Sequence, residues 1–211
     1  MGGEPGVHVD QGRNMDSAFL QALAQARPDP GGGAAAAHSA ALGLALLSKV
    51  AQLEHRRQGP EKTAAFPWHD LLGRVRLVAA ALQRLQAEDV EAYCQLTRAR
   101  HQGDPDEIAA ALDEAVATPL RIMQQAQEGL ALMAQAGPGC APHLVADLLV
   151  ACELLGAAFR GAHHIARANL PLMCHASRQA VWDEALFHTL EALEAEWQIV
   201  RAELAGRLIW T

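Results

Sequence analysis

The chain has 211 residues, a length suited to one folding unit around a single core. Half of it is apolar (51%), but aromatic residues make up only 4%, so Ala and Leu supply most of the hydrophobic surface. Both are strong helix formers, few β-branched or aromatic residues remain for strands, and composition therefore predicts an all-α fold. The formal charge of −7, with no block of Lys or Arg, argues against a nucleic-acid-binding surface.

The first 14 residues, MGGEPGVHVDQGRN, have no basic segment followed by an apolar run. They read as a disordered tail rather than a signal peptide, and 15–211 as one domain. Asp16 or Ser17 is placed to cap a short helix over 17–26, which ends before Arg27-Pro28-Asp29-Pro30. Gly31, Gly32 and Gly33 follow, and then a long, very apolar helix over 34–57. After the break at Gln58-Gly59-Pro60, apolar residues recur at helical spacing over 68–100 (Leu71, Leu72, Val75, Leu77, Val78, Ala81, Leu82, Leu85). Gly103-Asp104-Pro105 opens the next helix, which continues to 136 through Pro119, where a kink is expected. Gly137-Pro138-Gly139 ends it; another helix runs from after Pro142 to 169 and stops at Pro171. The last, 177–208, carries the stripe Trp182, Leu186, Leu190, Leu193, Trp197 and Val200, with Glu191, Glu194, Glu196 and Arg201 as a solvated outer face. Five long helices and a short leading one predict an antiparallel bundle. No apolar run reads as long enough to span a membrane, and the chain is expected in the cytoplasm. Cys94, Cys140, Cys152 and Cys174 form no CxxC pair and read as small buried hydrophobes.

Few positions need more than packing to explain them. Three glycines before a helix are either a flexible turn or a receptor in which bare backbone N–H groups meet an anion or a carbonyl. No Gly-Lys-Ser/Thr follows, so the block is not a nucleotide-binding P-loop. Asp89 and Tyr93, four apart, share a helical face: an ordinary acidic surface or a pair that reaches one ligand. Asp147 stands alone in the apolar run LVADLLV, which costs free energy unless it is paired or solvated in a pocket. Adjacent His163 and His164 point to different faces, and Glu184 with His188 is too small a set for a metal site. No metal and no cofactor are expected.

Taken in order, the strings FLQALAQARPDPGGGAAAA, AEDVEAY, ALDEAVATPL, HLVADLLVA and GAHHIARANL resemble successive signatures of one family. It is the cyclodeaminase half of formiminotransferase-cyclodeaminase, together with its stand-alone relatives described as methenyltetrahydrofolate cyclohydrolases. The Pro-Gly-Gly-Gly block is the most specific piece. The resemblance implies an all-helical homodimer whose partner is a small-molecule tetrahydrofolate derivative. It implies Asp89 as the catalytic acid and base, with Gly31, Gly32, Gly33, Tyr93, Asp147 and Asn169 around the substrate. In that role Asp147 would bind the pterin's N–H donors or hold the partner of Asp89. The chain departs from the family pattern at Ala34 and Ala146, where Ser is usual, at Ile165, where Asn is usual, and at Lys49, where an apolar Met is usual. Two readings follow: a folate cyclohydrolase or cyclodeaminase, or a catalytically silent bundle that binds a folate or another small molecule.

Overall fold

The computed structural model describes residues 11–58 and 66–208. Six α-helices make up the fold: α1 (Gln11–Leu23), α2 (Gly32–Gln58), α3 (Trp68–Gln102), α4 (Pro105–Ala136), α5 (Val145–Asn169) and α6 (Ala176–Ala205). Single 3₁₀ turns at Gly137–Gly139, Pro142–Leu144 and Leu170–Leu172 complete it, and there is no strand among the described residues. The bundle is the predicted one, with one difference at its start. Helix α1 begins at Gln11, so residues 11–14, assigned to the tail from sequence, are helical, and Asp16 and Ser17 lie inside the helix rather than at its cap. The remainder of the predicted tail, 1–10, falls outside the described residues.

Helix α2 packs chiefly on α5 and α3. Its Ala34, Ala37, Ala40 and Ala51 are fully buried alongside Leu44 and Leu47. Small side chains let the neighbouring backbones come close: a Cβ on Gly43 would stand 2.9 Å from the carbonyl oxygen of Ala151 on α5. Each fully buried leucine in this layer contributes about 2 kcal/mol of transfer free energy. Helices α3 and α4 form an antiparallel hairpin. Gly103, at φ 79°, ends α3 in the left-handed region, and Asp104 starts α4 by accepting the Asp106 N–H at 2.9 Å, with Pro105 in the first turn. Helix α4 runs unbroken past Pro119.

Two polar devices hold the ends. Glu54, fully buried near the end of α2, accepts the Ala141 N–H at 2.8 Å and the Arg57 Nε–H at 2.7 Å. It thereby ties α2 to the connection between α4 and α5. On the other side Arg160 of α5 meets Glu194 of α6 through two hydrogen bonds of 2.6 Å. The Trp197 indole N–H donates to the Cys152 carbonyl at 3.0 Å. Glu194 is therefore an interhelical anchor, not part of a solvated face, and Glu196 and Arg201 also reach across, to Gln127 and Glu153. Leu186, Leu193 and Val200 are the buried part of the expected α6 stripe.

By length and mean hydropathy alone Gly32–Gln58 and Pro142–Leu172 are apolar enough to cross a membrane, a property that the core helices of a bundle share. In the bundle 50% and 44% of their most apolar windows are buried against other helices. Cys140 and Cys152 are buried, and burial pushes their thiols up to about 11 and about 12, far from a reactive thiolate. Cys174 is exposed, unlike the buried residue expected from sequence; it sits in the short connection before α6, where there is no layer to cover it.

Candidate functional site

The start of α2, the middle of α3 and the end of α5 meet around a cavity of about 240 Å³. Asp89 is part of its lining. Its Oδ2 accepts the Ala34 N–H at 2.8 Å, so the carboxylate occupies the first turn of α2, where unpaired N–H groups and the positive end of the helix dipole favour an anion. The glycine block gives it room. A Cβ on Gly33 would overlap the Asp89 carboxylate, standing 2.5 Å from its Cγ and 2.7 Å from Oδ2. The glycines thus serve as a receptor for an anion, and the anion is a side chain of the same protein. A Cβ on Gly32 would instead press on the Ile165 side chain, whose Cδ1 lies 2.7 Å away.

Two opposed effects act on the Asp89 carboxyl. Burial disfavours its charge and raises the pKa above the ordinary 3.8, while the Ala34 N–H bond lowers it; burial is the larger. Asp89 accordingly holds its proton more readily than a surface aspartate does.

The other predicted residues divide sharply. Gly31, Gly32, Gly33, Tyr93 and Asn169 all line the cavity with Asp89. Tyr93 stands one helical turn beyond Asp89 on α3 and is 42% exposed, so it forms part of the rim. Asn169, at the end of α5, donates its Nδ2–H to the Ala115 carbonyl at 2.9 Å. Asp147 is elsewhere. It lies in the first turn of α5 and Asn169 in the last, which at 1.5 Å per residue is about 33 Å along the axis. There it accepts the Lys49 Nζ–H at 2.8 Å. Within one chain Asp147 neither touches a ligand beside Asp89 nor positions a partner of it. The unusual Lys49 explains its survival in an apolar run, since each charge satisfies the other.

Two of the departures are also resolved. Ala34 keeps the backbone N–H that binds Asp89 and offers no hydroxyl, while Ile165 gives the cavity an apolar wall. Ala146 lies beside Asp147, away from the cavity. Sequence reasoning passed over Asp29, a second carboxylate on the cavity lining, and the apolar Val90 and Leu96. The signal for Asp29 was present: a carboxylate between two prolines immediately before the glycines. His163 is buried, which lowers its pKa, and His164 is exposed. Among the described residues no three His, Cys, Asp or Glu side chains converge as metal ligands.

A family model described as formiminotransferase-cyclodeaminase matches residues 16–185. No curated protein matches the chain at a significant level. Among solved structures, a formiminotetrahydrofolate cyclodeaminase from Thermotoga maritima matches with a TM-score of 0.80. The two share 22% sequence identity, and the match covers 90% of this chain and 95% of that one. The likeness shows a shared helical fold; the family match takes in the glycine block, Asp89 and Asn169.

Proposed function

Since the chain belongs to the formiminotransferase-cyclodeaminase family, we propose that the Asp89 cavity binds a reduced folate bearing a one-carbon unit and that Asp89 moves the proton in its conversion. The observation that carries this reading is the half-buried carboxyl of Asp89, raised in pKa, facing a cavity whose glycines leave space for it. In the deamination, the folate N10 attacks the formimino carbon at N5 and gives up its proton, the bond from that carbon to the departing nitrogen breaks as the nitrogen takes up the N10 proton and one more, and methenyltetrahydrofolate and ammonia result. In the hydrolysis, water attacks the methenyl carbon and gives up two protons, one released and one taken by N5 as the carbon–N5 bond breaks, which leaves 10-formyltetrahydrofolate. Protonated Asp89 serves the first as donor, and its carboxylate serves the second as acceptor. Apolar Val90, Leu96 and Ile165 suit the face of a flat heterocycle, while Asp89 and Asn169 supply polar groups at its edge.

A second reading, a folate-binding bundle without turnover, is favoured by Ile165, which leaves the cavity with one polar side chain fewer than the family pattern. Two measurements on the purified protein separate the readings. One is loss of methenyltetrahydrofolate absorbance against the uncatalysed rate, together with ammonia release from formiminotetrahydrofolate. The other is the thermal shift produced by 5-formyltetrahydrofolate. Turnover supports the enzyme; a shift without turnover supports the silent bundle; neither removes the folate reading.

A homodimer in the cytoplasm belongs to the same proposal. Leu42, Lys49 and Leu53 form one exposed stripe of α2, and the Lys49–Asp147 bond joins it to exposed Val150 on α5. This apolar face on the two most apolar helices suits a second copy. Light scattering that gives a monomer at micromolar concentration would count against it.

A further inference from the structure

Pro119 lies inside α4, where it has no N–H to give to the carbonyl four residues earlier, that of Ala115. Its ring also crowds that carbonyl away from the helix axis. A carbonyl left bare in a buried stretch needs another donor, and Ala115 is buried. The donor is the Asn169 side chain: its Nδ2–H reaches the Ala115 oxygen at 2.9 Å from the end of α5, 54 residues away in sequence. A carbonyl oxygen can only accept, so this bond determines which way the amide faces. The Asn169 Oδ1 is left as a hydrogen-bond acceptor, and Asn169 lines the same cavity as Asp89.

We infer that Pro119 is a positioning residue. By freeing the Ala115 carbonyl it locks the Asn169 amide with Oδ1 turned to the cavity, as an acceptor for a ligand N–H. This rests on the folate reading of the cavity and deepens it. The Asn169 Oδ1 then offers an acceptor to an amino or ring N–H donor of a 2-amino-4-oxopyrimidine edge, the polar edge of a pterin, while Asp89 is left to the one-carbon centre. The proline, 50 residues before Asn169 in sequence and not itself on the cavity lining, acts only through the freed carbonyl.

The test is a double-mutant cycle of Pro119→Ala and Asn169→Ala, read by thermal melting, by affinity for 5-formyltetrahydrofolate and by the side-chain amide signals of Asn169 in a ¹⁵N–¹H spectrum. Pro119→Ala restores a backbone donor to α4, and its melting temperature should rise by about 5 °C. Its ligand affinity should nevertheless fall by about tenfold, the effect of one hydrogen bond. In the Asn169→Ala background the same proline change should cost no further affinity. The Asn169 amide signals, identified by their absence in Asn169→Ala, should be shifted and slow to exchange in wild type and averaged in Pro119→Ala. An equal loss of affinity in both backgrounds would mean that the proline acts through helix shape and would overturn the inference. Unchanged amide signals in Pro119→Ala would overturn it as well. Absence of any binding by wild type removes the folate reading, and the amide signals alone then decide whether Pro119 positions Asn169.

Discussion

Replacing Gly33 by alanine sets a helix preference against a tertiary contact. Gly33 lies inside α2, where alanine is favoured over glycine by about 1 kcal/mol, so local propensity predicts stabilisation. The structure predicts the reverse. The new methyl would stand 2.5 Å from the Cγ of Asp89, well inside van der Waals contact. The carboxylate must withdraw, and the Ala34 N–H loses its partner. A hydrogen bond to a charged group is worth about 1.5–3 kcal/mol, and residual crowding adds about 1–3 kcal/mol. Against the gain in propensity, the net destabilisation is about 1.5–5 kcal/mol. For a chain of this length that lowers the melting temperature by about 3–20 °C. The same change made in an Asp89→Ala protein meets no carboxylate, so there it should be neutral or stabilising. Circular-dichroism melts of wild type, both single variants and the double variant give the coupling directly, and the sign reversal is the specific signature. Turnover should vanish in both single variants. A Gly33→Ala protein that melts at or above the wild-type temperature and keeps its activity would refute the account of the glycine block.

Four more outcomes follow from particular contacts. Asp89→Asn keeps an oxygen for the Ala34 N–H but carries no titratable proton, so folded yield should hold while turnover falls by about a hundred-fold to ten-thousand-fold; wild-type turnover would remove the mechanism. The same variant tests the pKa. A carboxyl raised on folding stays protonated in the native state after the unfolded chain has ionised, so its stabilising contribution is present below the ordinary 3.8 and is lost as pH rises through the higher folded value. Melting temperatures measured across that window should fall more with rising pH in wild type than in Asp89→Asn, and parallel curves would contradict the shift. Glu54→Ala leaves the Ala141 N–H without its acceptor and Arg57 without its partner, and should cost about 3–5 kcal/mol by chemical denaturation; a loss below about 1 kcal/mol would deny it a structural role. Lys49→Ala breaks a pair whose side chains are 57% and 34% exposed, so the stability change should stay within about 1 kcal/mol and folate affinity should not move. A large loss of affinity would return Asp147 to the binding site, through a second copy of the chain.

Where one short stretch of chain holds all the information, the sequence is sufficient. The helices from α2 to α6 follow from apolar spacing and from Gly and Pro punctuation, because capping and periodicity act within a few residues. The shared face of Asp89 and Tyr93 is equally legible, since helical geometry alone puts residues four apart side by side. The resemblance extended this to a candidate site, because the glycine block and Asp89 both belong to its pattern. Contacts between distant segments were decided by the tertiary structure. The glycine block and Asp89 are 55 residues apart at their point of contact, and no local rule says that the anion the glycines receive is this carboxylate. Asp147 shows the same limit from the other side. Its apolar neighbours mark it as a charge in need of a partner, but the partner is Lys49, 98 residues away, met because α2 and α5 pack antiparallel. Asn169 depends on both levels. Pro119 announces an unpaired carbonyl at Ala115 from sequence alone, and only the packing of α4 against α5 determines which side chain answers it.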